Sequence, residues 1–398
     1  MPKKVLILTQ NFYPAIGSAG NRMKNIFQLL SKADVQVEVL TIEPSYPPNK
    51  NMYKDRTFWD DEDVNKQTDK ITRLPIKSRK FTNKLISRLF FYLEIMYRFI
   101  FELWRRRKDG YDYLYVSTPP IFIVFSAWLL RRPMKAKIIL EVRDLWPDSL
   151  TGVKSFDQKW IIRFFQFVEK KMYHMADLIV INSKGFASHI HEKLKKQKKI
   201  VFLPNGPRQK ELIEKSPLDE EFRVVYAGNL GLAQDIDRLK QVAQQLHEHG
   251  IHFDVLGYGM KTKEFKQFLT DKQLTNVQVH KPTTRRKSLE LIRKSHVSIA
   301  FLNDVEVFST VLPGKVLDYM TCQTPIVAGV KGIAADLIRE NQTGYAFSSN
   351  DTTLMLEKVL ELKEDQELLA RMQANCLTTV TKHFLWEHNI ERLVDIIE

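Results

Sequence analysis

The chain has 398 residues, 44% hydrophobic and 27% charged, with 15 glycines and 16 prolines; this suits two domains and excludes a disordered, collagen-like or low-complexity protein. Its two cysteines, Cys322 and Cys376, exclude a disulfide framework or a multi-thiolate metal site and point to a reducing compartment. The net charge of +14 is lopsided, with 37 basic against 20 acidic residues in 1–200 and 24 against 27 beyond, so the first half suits a polyanionic partner.

The opening MPKKVLILTQ has an apolar run at 5–8, too short for a signal peptide, and predicts a buried strand over 4–8. A helix is predicted over 21–30 and a strand over 35–41. The greasiest stretch is 85–104, LISRLFFYLEIMYRFIFELW. Glu94, Arg98 and Glu102 recur every four residues, forming one polar stripe on a helix whose remaining surface is aromatic and aliphatic. With Arg88 this makes four charges, too many for a span of about 20 apolar residues. Basic residues flank it: Arg73, Lys77, Arg79, Lys80 and Lys84 before, Arg105, Arg106, Arg107 and Lys108 after, giving 11 basic and 2 acidic residues in 73–108. This is the pattern of a helix lying on an anionic membrane surface; a core helix with snorkelling arginines is the plainer alternative.

Strands follow at 113–116 and 137–140, a helix at 159–175, and strands at 178–181 and 200–203. Pro204-Asn205-Gly206-Pro207 is a turn, and the charged stretch 210–221 reads as a linker. The alternation then restarts. Strands are predicted at 223–226, 252–256, 277–280, 297–301 and 325–328, and helices at 235–249, 261–270, 288–294, 315–321 and through 352–398. This is an α/β pattern of two doubly wound, Rossmann-like parallel sheets facing a central cleft, with ligands outside the carboxyl ends of the strands. The boundaries fall at 1–207, 208–375 and a terminal helix, 376–398, that returns to the first domain.

Chemistry-bearing residues cluster at predicted strand ends. Gly17 lies in the loop QNFYPAIGSAGNR, which also holds Arg22 and leads into a helix. The loop lacks both the dinucleotide fingerprint and the P-loop lysine, so it is a weak phosphate signal. Gly228 and Asn229 follow a strand in VYAGNLG, with Gln234 just beyond, and Gly257 follows another in LGYG. The strongest signal is TVLPGKVLDYM, residues 310–320. Pro313-Gly314 starts a helix and leaves amide groups at its positive end. Lys315 in that first turn is unfavourable unless an anion is bound. Asp318, one turn on along the same face, could accept two sugar hydroxyls. A solvated lysine and a helix-start aspartate are the bland alternative.

These pieces in this order, with LEVRDLWPDS, ADLIVINS, LPNG and GIAADLIRENQTGYAF, resemble family 4 of the retaining nucleotide-sugar glycosyltransferases, of the GT-B fold, in particular those building teichuronic acid, capsule or O-antigen. The resemblance implies a UDP-sugar held by the second domain, with Gly228, Asn229, Gln234, Gly257, Thr310, Pro313, Gly314, Lys315 and Asp318, and Gly17 of the first domain, as its donor-binding residues. It places the uracil near His280, Lys281 and Pro282. It implies a polyprenyl-linked saccharide acceptor held by the first domain, with Arg22, Arg143, Arg88, Arg98, Arg105, Arg106 and Arg107 facing acceptor or membrane. Asp144 and Lys315 are the catalytic candidates. No cofactor beyond the nucleotide sugar, no metal and no nucleic-acid partner is expected, and the expected place is the inner face of a bacterial cell membrane.

The chain departs from the family pattern. A Glu-x7-Glu pair is replaced by Thr310 and Asp318, so the carboxylate for the transferred sugar is missing. An arginine after the strand glycine and a lysine five further on are replaced by Asn229 and Gln234, which leaves the diphosphate to Lys315 and the helix dipole. A first-domain histidine is replaced by Arg143-Asp144. Asp61-Glu62-Asp63 matches a metal signature of another fold, but no strand precedes it, and it reads as a solvated loop. His189 and His191 read as surface residues, and Asn341-Gln342-Thr343 as a sequon without a secretory context. Alternatives are a UDP-sugar 2-epimerase of the same fold, a basic nucleic-acid-binding protein without a recognisable motif, and a catalytically dead membrane scaffold.

Overall fold

The computed structural model describes residues 2–44, 52–78, 85–148, 159–194, 198–215, 217–218, 220–230, 235–302, 306–348 and 351–398. The chain divides into two units: the first holds the described residues up to Pro204 together with Glu387–Glu398, the second Asn205–Trp386. Gln234, Arg79, Lys80 and Lys84 lie outside the described residues.

The first unit runs β1 (Lys3–Leu8), α1 (Ser18–Leu30), β2 (Val35–Ile42), α2 (Glu62–Asn65), β3 (Ile71–Leu74), α3 (Leu85–Arg105), β4 (Tyr113–Thr118), α4 (Ile121–Met134), β5 (Lys137–Val142), α5 (Lys159–Met175), β6 (Leu178–Ile181), α6 (Phe186–Leu194) and β7 (Ile200–Phe202). Its seven strands lie in the order β3-β2-β1-β4-β5-β6-β7, and every pair is parallel. Val5, Leu6, Ile7 and Leu8 are all fully buried. An unbroken apolar run is what a central strand covered on both faces requires.

The second unit runs β8 (Arg223–Asn229), α7 (Ile236–Glu248), β9 (His252–Tyr258), α8 (Thr262–Asp271), β10 (Val277–His280), α9 (Arg285–Arg293), β11 (Val297–Phe301), α10 (Gly314–Thr321), β12 (Ile326–Gly329), α11 (Ile333–Glu340), β13 (Gly344–Phe347), α12 (Thr352–Glu364) and α13 (Gln366–His383); α14 (Trp386–Ile397) follows. Six parallel strands lie in the order β10-β9-β8-β11-β12-β13. The strand period of two divides its core. Val224 and Tyr226 pack with α7, α8 and α12 on one face, while Val225 packs with α9, α10 and α11 on the other. Asp235 caps α7 and Asp351 caps α12 through their side-chain oxygens.

The structure corrects the sequence reading in this framework: α2, β3, α6, α11 and β13 stand where no element is predicted, and the helix expected through 352–398 is three, α12, α13 and α14. The stretch 121–134 is a helix, α4, that no periodicity announces: IFIVFSAWLL is apolar all round, and Pro133 lies within the helix. The segment read as a linker is anchored to the second unit. Lys215 Nζ donates to Ser295 O at 2.8 Å, Gln323 O at 2.9 Å and Thr324 Oγ1 at 3.2 Å, and burial pulls its pKa down to about 8.

Candidate functional site

In the second sheet the strand order reverses between β8 and β11, which are neighbours although not consecutive. Such a switch point opens a crevice at the carboxyl ends of the strands. Tyr319 fixes α10 over it: the Ala227 amide donates to the Tyr319 oxygen at 2.8 Å, and the Tyr319 hydroxyl donates to Ile299 O at 3.0 Å. Lys315 lies one turn back on the same helix. Its ammonium is 3.2 Å from the Tyr226 hydroxyl and 4.5 Å from the centre of that ring. A Cβ on Gly228 would stand 2.9 Å from Lys315 Nζ, so the glycine makes room for the ammonium at the end of β8. Burial lowers the Lys315 pKa to about 8. Pro313, in an extended conformation, caps the helix and turns its amino end to the same place.

Asp318, one turn after Lys315, is gripped by a residue that sequence reasoning missed. Arg285, the first residue of α9, donates from Nη1 to Asp318 Oδ1 at 2.8 Å. The same guanidinium donates from Nε and Nη2 to Glu211 Oε1 and Oε2, at 2.6 and 3.2 Å. Burial pushes the Asp318 carboxyl up against the pull of Arg285. Burial also works against the Arg285 charge, yet Asp318 and Glu211 together hold its pKa above the ordinary value. The signal was present in principle. A basic residue opening a helix is unfavourable without an anionic partner, which is the argument that singled out Lys315.

Of the remaining donor candidates, Gly257 stands beside Gly228 in the β8–β9 register. A Cβ on Gly257 would fall 2.7 Å from Leu230 Cδ1, and one on Gly259, at φ +146, would fall 2.4 Å from Asn229 Oδ1. These glycines let Asn229 and Leu230 lie against the end of β9, where the Leu230 amide donates to Tyr258 O at 2.8 Å. Thr310 ends a 3-10 turn and donates its hydroxyl to Val307 O at 2.7 Å. His280, Lys281, Pro282 and Thr283 border a cavity of about 560 Å³, with His280 bonded to Asp254.

In the first unit Gly17 caps α1 at φ 118. Arg22 is not on a membrane- or acceptor-facing surface: it is 1% exposed and its Nε donates to Glu141 Oε1 at 2.7 Å. Tyr115 and Ser117 donate to the same carboxylate at 2.7 and 2.8 Å. Arg143 also turns inward, donating to Ser117 Oγ at 2.9 Å and Pro119 O at 3.2 Å. Burial pulls its pKa down against the opposing charge of Glu141. Asp144 follows in the turn after β5, half-buried.

The arginines around α3 divide. Arg106 is a structural clamp that donates to Glu102, Glu38 and Thr72 at 2.6–2.9 Å, which removes it from the membrane-facing set. Arg98 pairs with Glu94 at 2.9 Å, and Glu94 also accepts the Lys77 and Ser78 amides. Arg105 is 65% exposed, Arg107 stacks on Trp104 at 4.5 Å, and Arg88 is half-buried.

Two plain readings change. Asp61 is not a solvated loop residue: it caps α2, is buried, and pairs with Lys24 at 2.8 Å. His189 is not a free surface residue: it lies 2.9 Å from the buried Glu169 and 3.9 Å from Asp148. Among the described residues no group of three or more His, Cys, Asp and Glu side chains is placed to hold a metal ion.

Comparison with known proteins bears on this geometry. Residues 17–206 match the glycosyl transferase 4-like domain and residues 208–377 match the glycosyl transferases group 1 family. The chain is 23% identical over 303 residues to WbjE of Pseudomonas aeruginosa, named a glycosyltransferase, covering 72% of this chain and 74% of that one. It is 20% identical over 291 residues to WcaI of Escherichia coli, whose name assigns it to colanic acid biosynthesis, covering 69% and 70%. The Anabaena protein Alr3699/HepE, solved with UDP and glucose, shares the fold with a TM-score of 0.73 at 13% identity, covering 99% of both chains. Two parallel α/β units of the GT-B kind, each matched by a glycosyltransferase domain and together covering nearly the whole sequence, make this chain a glycosyltransferase of the group 1 family.

Proposed function

We propose that the chain moves a sugar, with retention of anomeric configuration, from a UDP-sugar to a polyprenyl-linked saccharide during synthesis of a bacterial surface polysaccharide. The observation that carries the donor half is Lys315, a partly buried ammonium at the β8–β11 switch point beside the amino end of α10. A diphosphate there would meet both the Lys315 ammonium and the positive end of the α10 dipole. The HepE complex with UDP and glucose supports a uridine donor, and the WcaI name supports a polysaccharide product.

The chemistry follows from charge. As the bond between the anomeric carbon and the phosphate oxygen breaks, negative charge grows on the leaving UDP, and Lys315 with the α10 amides stabilises it. The acceptor oxygen attacks the same face, and its proton passes to the leaving phosphate oxygen, so no protein base is needed. Asp318 takes the ribose hydroxyls. We assign Gly228, Asn229, Gly257, Thr310, Pro313 and Gly314, together with Gly17 and Gln234 on the resemblance alone, to donor binding, and Asp144 to orienting the acceptor. The diphosphate charge is met by Lys315 and α10, so the reading assigns no resident metal, and turnover should survive EDTA. The exposed aromatic side of α3 rests the protein on the cytoplasmic surface of the membrane.

The test is UDP release from a panel of UDP-sugars with a polyprenyl-linked acceptor, and the anomeric configuration of the product by NMR. Lys315→Ala should lower kcat/KM by about 100-fold or more with the fold intact. Near-normal transfer by that variant, an inverted product, or epimerised sugar without acceptor would each overturn the reading.

A further inference from the structure

We propose that the first unit meets an anionic bilayer with a composite face of three helices, α3, α4 and α5, and not with α3 alone. The three-helix contact deepens the membrane placement proposed above and rests on it. Among the described residues thirteen large hydrophobic side chains are exposed, and eleven of them lie on these three helices. On α3 they are Leu89, Phe90, Leu93, Tyr97, Phe101 and Trp104, opposite the buried row Phe91, Ile95, Phe99 and Leu103. On α4 they are Phe125, Trp128 and Leu129; on α5, Phe164 and Phe167.

Topology puts the three helices on one side of the sheet. Each connects a strand to a parallel strand further along the same direction, β3 to β4, β4 to β5 and β5 to β6. Right-handed crossovers in one direction stay on one face. Contacts confirm adjacency. Ser126 Oγ on α4 donates to Met96 O on α3 at 3.2 Å, and the Tyr92 and Phe122 rings stack at 5.5 Å. Arg131 on α4 donates to Met175 O at the end of α5 at 2.8 Å.

Charge selects the occupant. The three helices carry only three carboxylates: Glu102 and Glu169 are buried, and Glu94 is taken up by Arg98 and two amides. Their exposed charges are cationic, among them Arg105, Arg132, Arg163 and Lys171. Lys171 lies over Phe167 at 5.4 Å and Arg107 over Trp104 at 4.5 Å, so cation and aromatic ring are presented together, as at a lipid headgroup boundary. A second copy of the chain would set these cations against themselves with no exposed carboxylate on the face to pair them. Among the described residues no helix is long and apolar enough to cross a membrane, and the proposed contact is with the lipid surface alone.

The experiment uses the full chain with vesicles of phosphatidylcholine alone or mixed with phosphatidylglycerol. Co-sedimentation with the anionic vesicles is expected, declining with salt. A Trp128→Ser/Phe167→Ser variant, which leaves α3 untouched, should partition about tenfold or more weakly with an unchanged melting temperature. Full binding by that variant, alongside loss of binding in Phe101→Ser/Trp104→Ser, would confine the contact to α3 and overturn the composite face. No binding by the wild type at low salt would remove the membrane placement itself. Equal binding to neutral vesicles, or a lipid-free dimer broken by the same substitutions, would overturn the choice of anionic lipid. Lys315→Ala should bind vesicles as the wild type does, which keeps this outcome separate from the donor chemistry.

Discussion

Replacing Lys315 with methionine should make the unliganded protein more stable and the donor site weaker. Burial lowers the Lys315 pKa from 10.5 to about 8. That difference corresponds to about 3 kcal/mol of extra cost for the charged form in its folded environment. The folded value lies below the unfolded one, so between pH 8 and 10.5 the unfolded chain holds a proton that the folded chain has shed. Stability therefore rises with pH across that window, and below pH 8 the penalty is fully present. Lys315→Met removes it, and the unliganded variant should melt a few degrees higher at pH 7. UDP reverses the sign, because it binds the charged form. Its terminal phosphate, with a second pKa of about 6, is already ionised across the useful range. The wild-type Kd for UDP should then rise about eightfold from pH 7.5 to 9. Lys315→Arg should flatten that profile, since a guanidinium stays charged. Calorimetric titration with UDP and melting curves of both variants check this. A flat wild-type profile, or a Lys315→Met protein that melts lower and binds UDP normally, would refute the reasoning.

Arg285→Met should release Asp318, so that the preference for UDP over 2′-deoxy-UDP falls by about tenfold, as in Asp318→Asn. A variant that loses affinity for both nucleotides equally would show that the guanidinium does not act through Asp318. Gly228→Ala should push the Lys315 ammonium aside and weaken UDP binding by about tenfold with little change in melting, because the atom displaced is the end of a flexible side chain. Arg22→Ala removes the nearest cation from the buried Glu141 carboxylate, leaving it Tyr115, Ser117 and the more distant Arg143, and should cost about 3 kcal/mol in urea unfolding; a loss under 1 kcal/mol would show that the carboxylate does not depend on Arg22.

Much of the framework is written in local pattern. The predicted strands at 178–181, 277–280 and 297–301 and the helix at 159–175 coincide with β6, β10, β11 and α5. Buried parallel strands leave unbroken apolar runs between turn residues, and an amphipathic helix leaves a stripe. Where neither trace exists the reading fails. α4 is apolar on all sides, so its sequence lacks the stripe. Its exposed Leu129 and buried Leu130 are the same residue type and differ only in what they meet in space. The site divides in the same way. Lys315 and Asp318 share one helical turn and are legible from spacing. Glu211, Arg285 and Asp318 come from three distant places in the chain, and only the fold brings them together. The arginines near 100 look alike in sequence, yet Arg106 is folded into Glu38, Glu102 and Thr72 while Arg105 faces solvent.

One departure from the family pattern, the missing cation after the strand glycine, has a structural counterpart at β8. The pattern sets a cation directly after the strand glycine, where this chain has Asn229. Here the Lys315 ammonium comes from α10 and stops 2.9 Å from where a Gly228 side chain would begin. A positive charge is thus kept beside the β8 glycine but supplied by another element. An ammonium arriving from a helix start needs three things that a residue on the loop does not. It needs a gap at Gly228, a surface to lie against, which Tyr226 provides, and a fixed helix, which Tyr319 secures to β8 and β11. Tyr226, Gly228 and Tyr319 are therefore bound to Lys315 as a set. Restoring a cation by Asn229→Arg should rescue UDP binding in Lys315→Met, but should weaken it in the wild type, where two cations would crowd the same few ångströms.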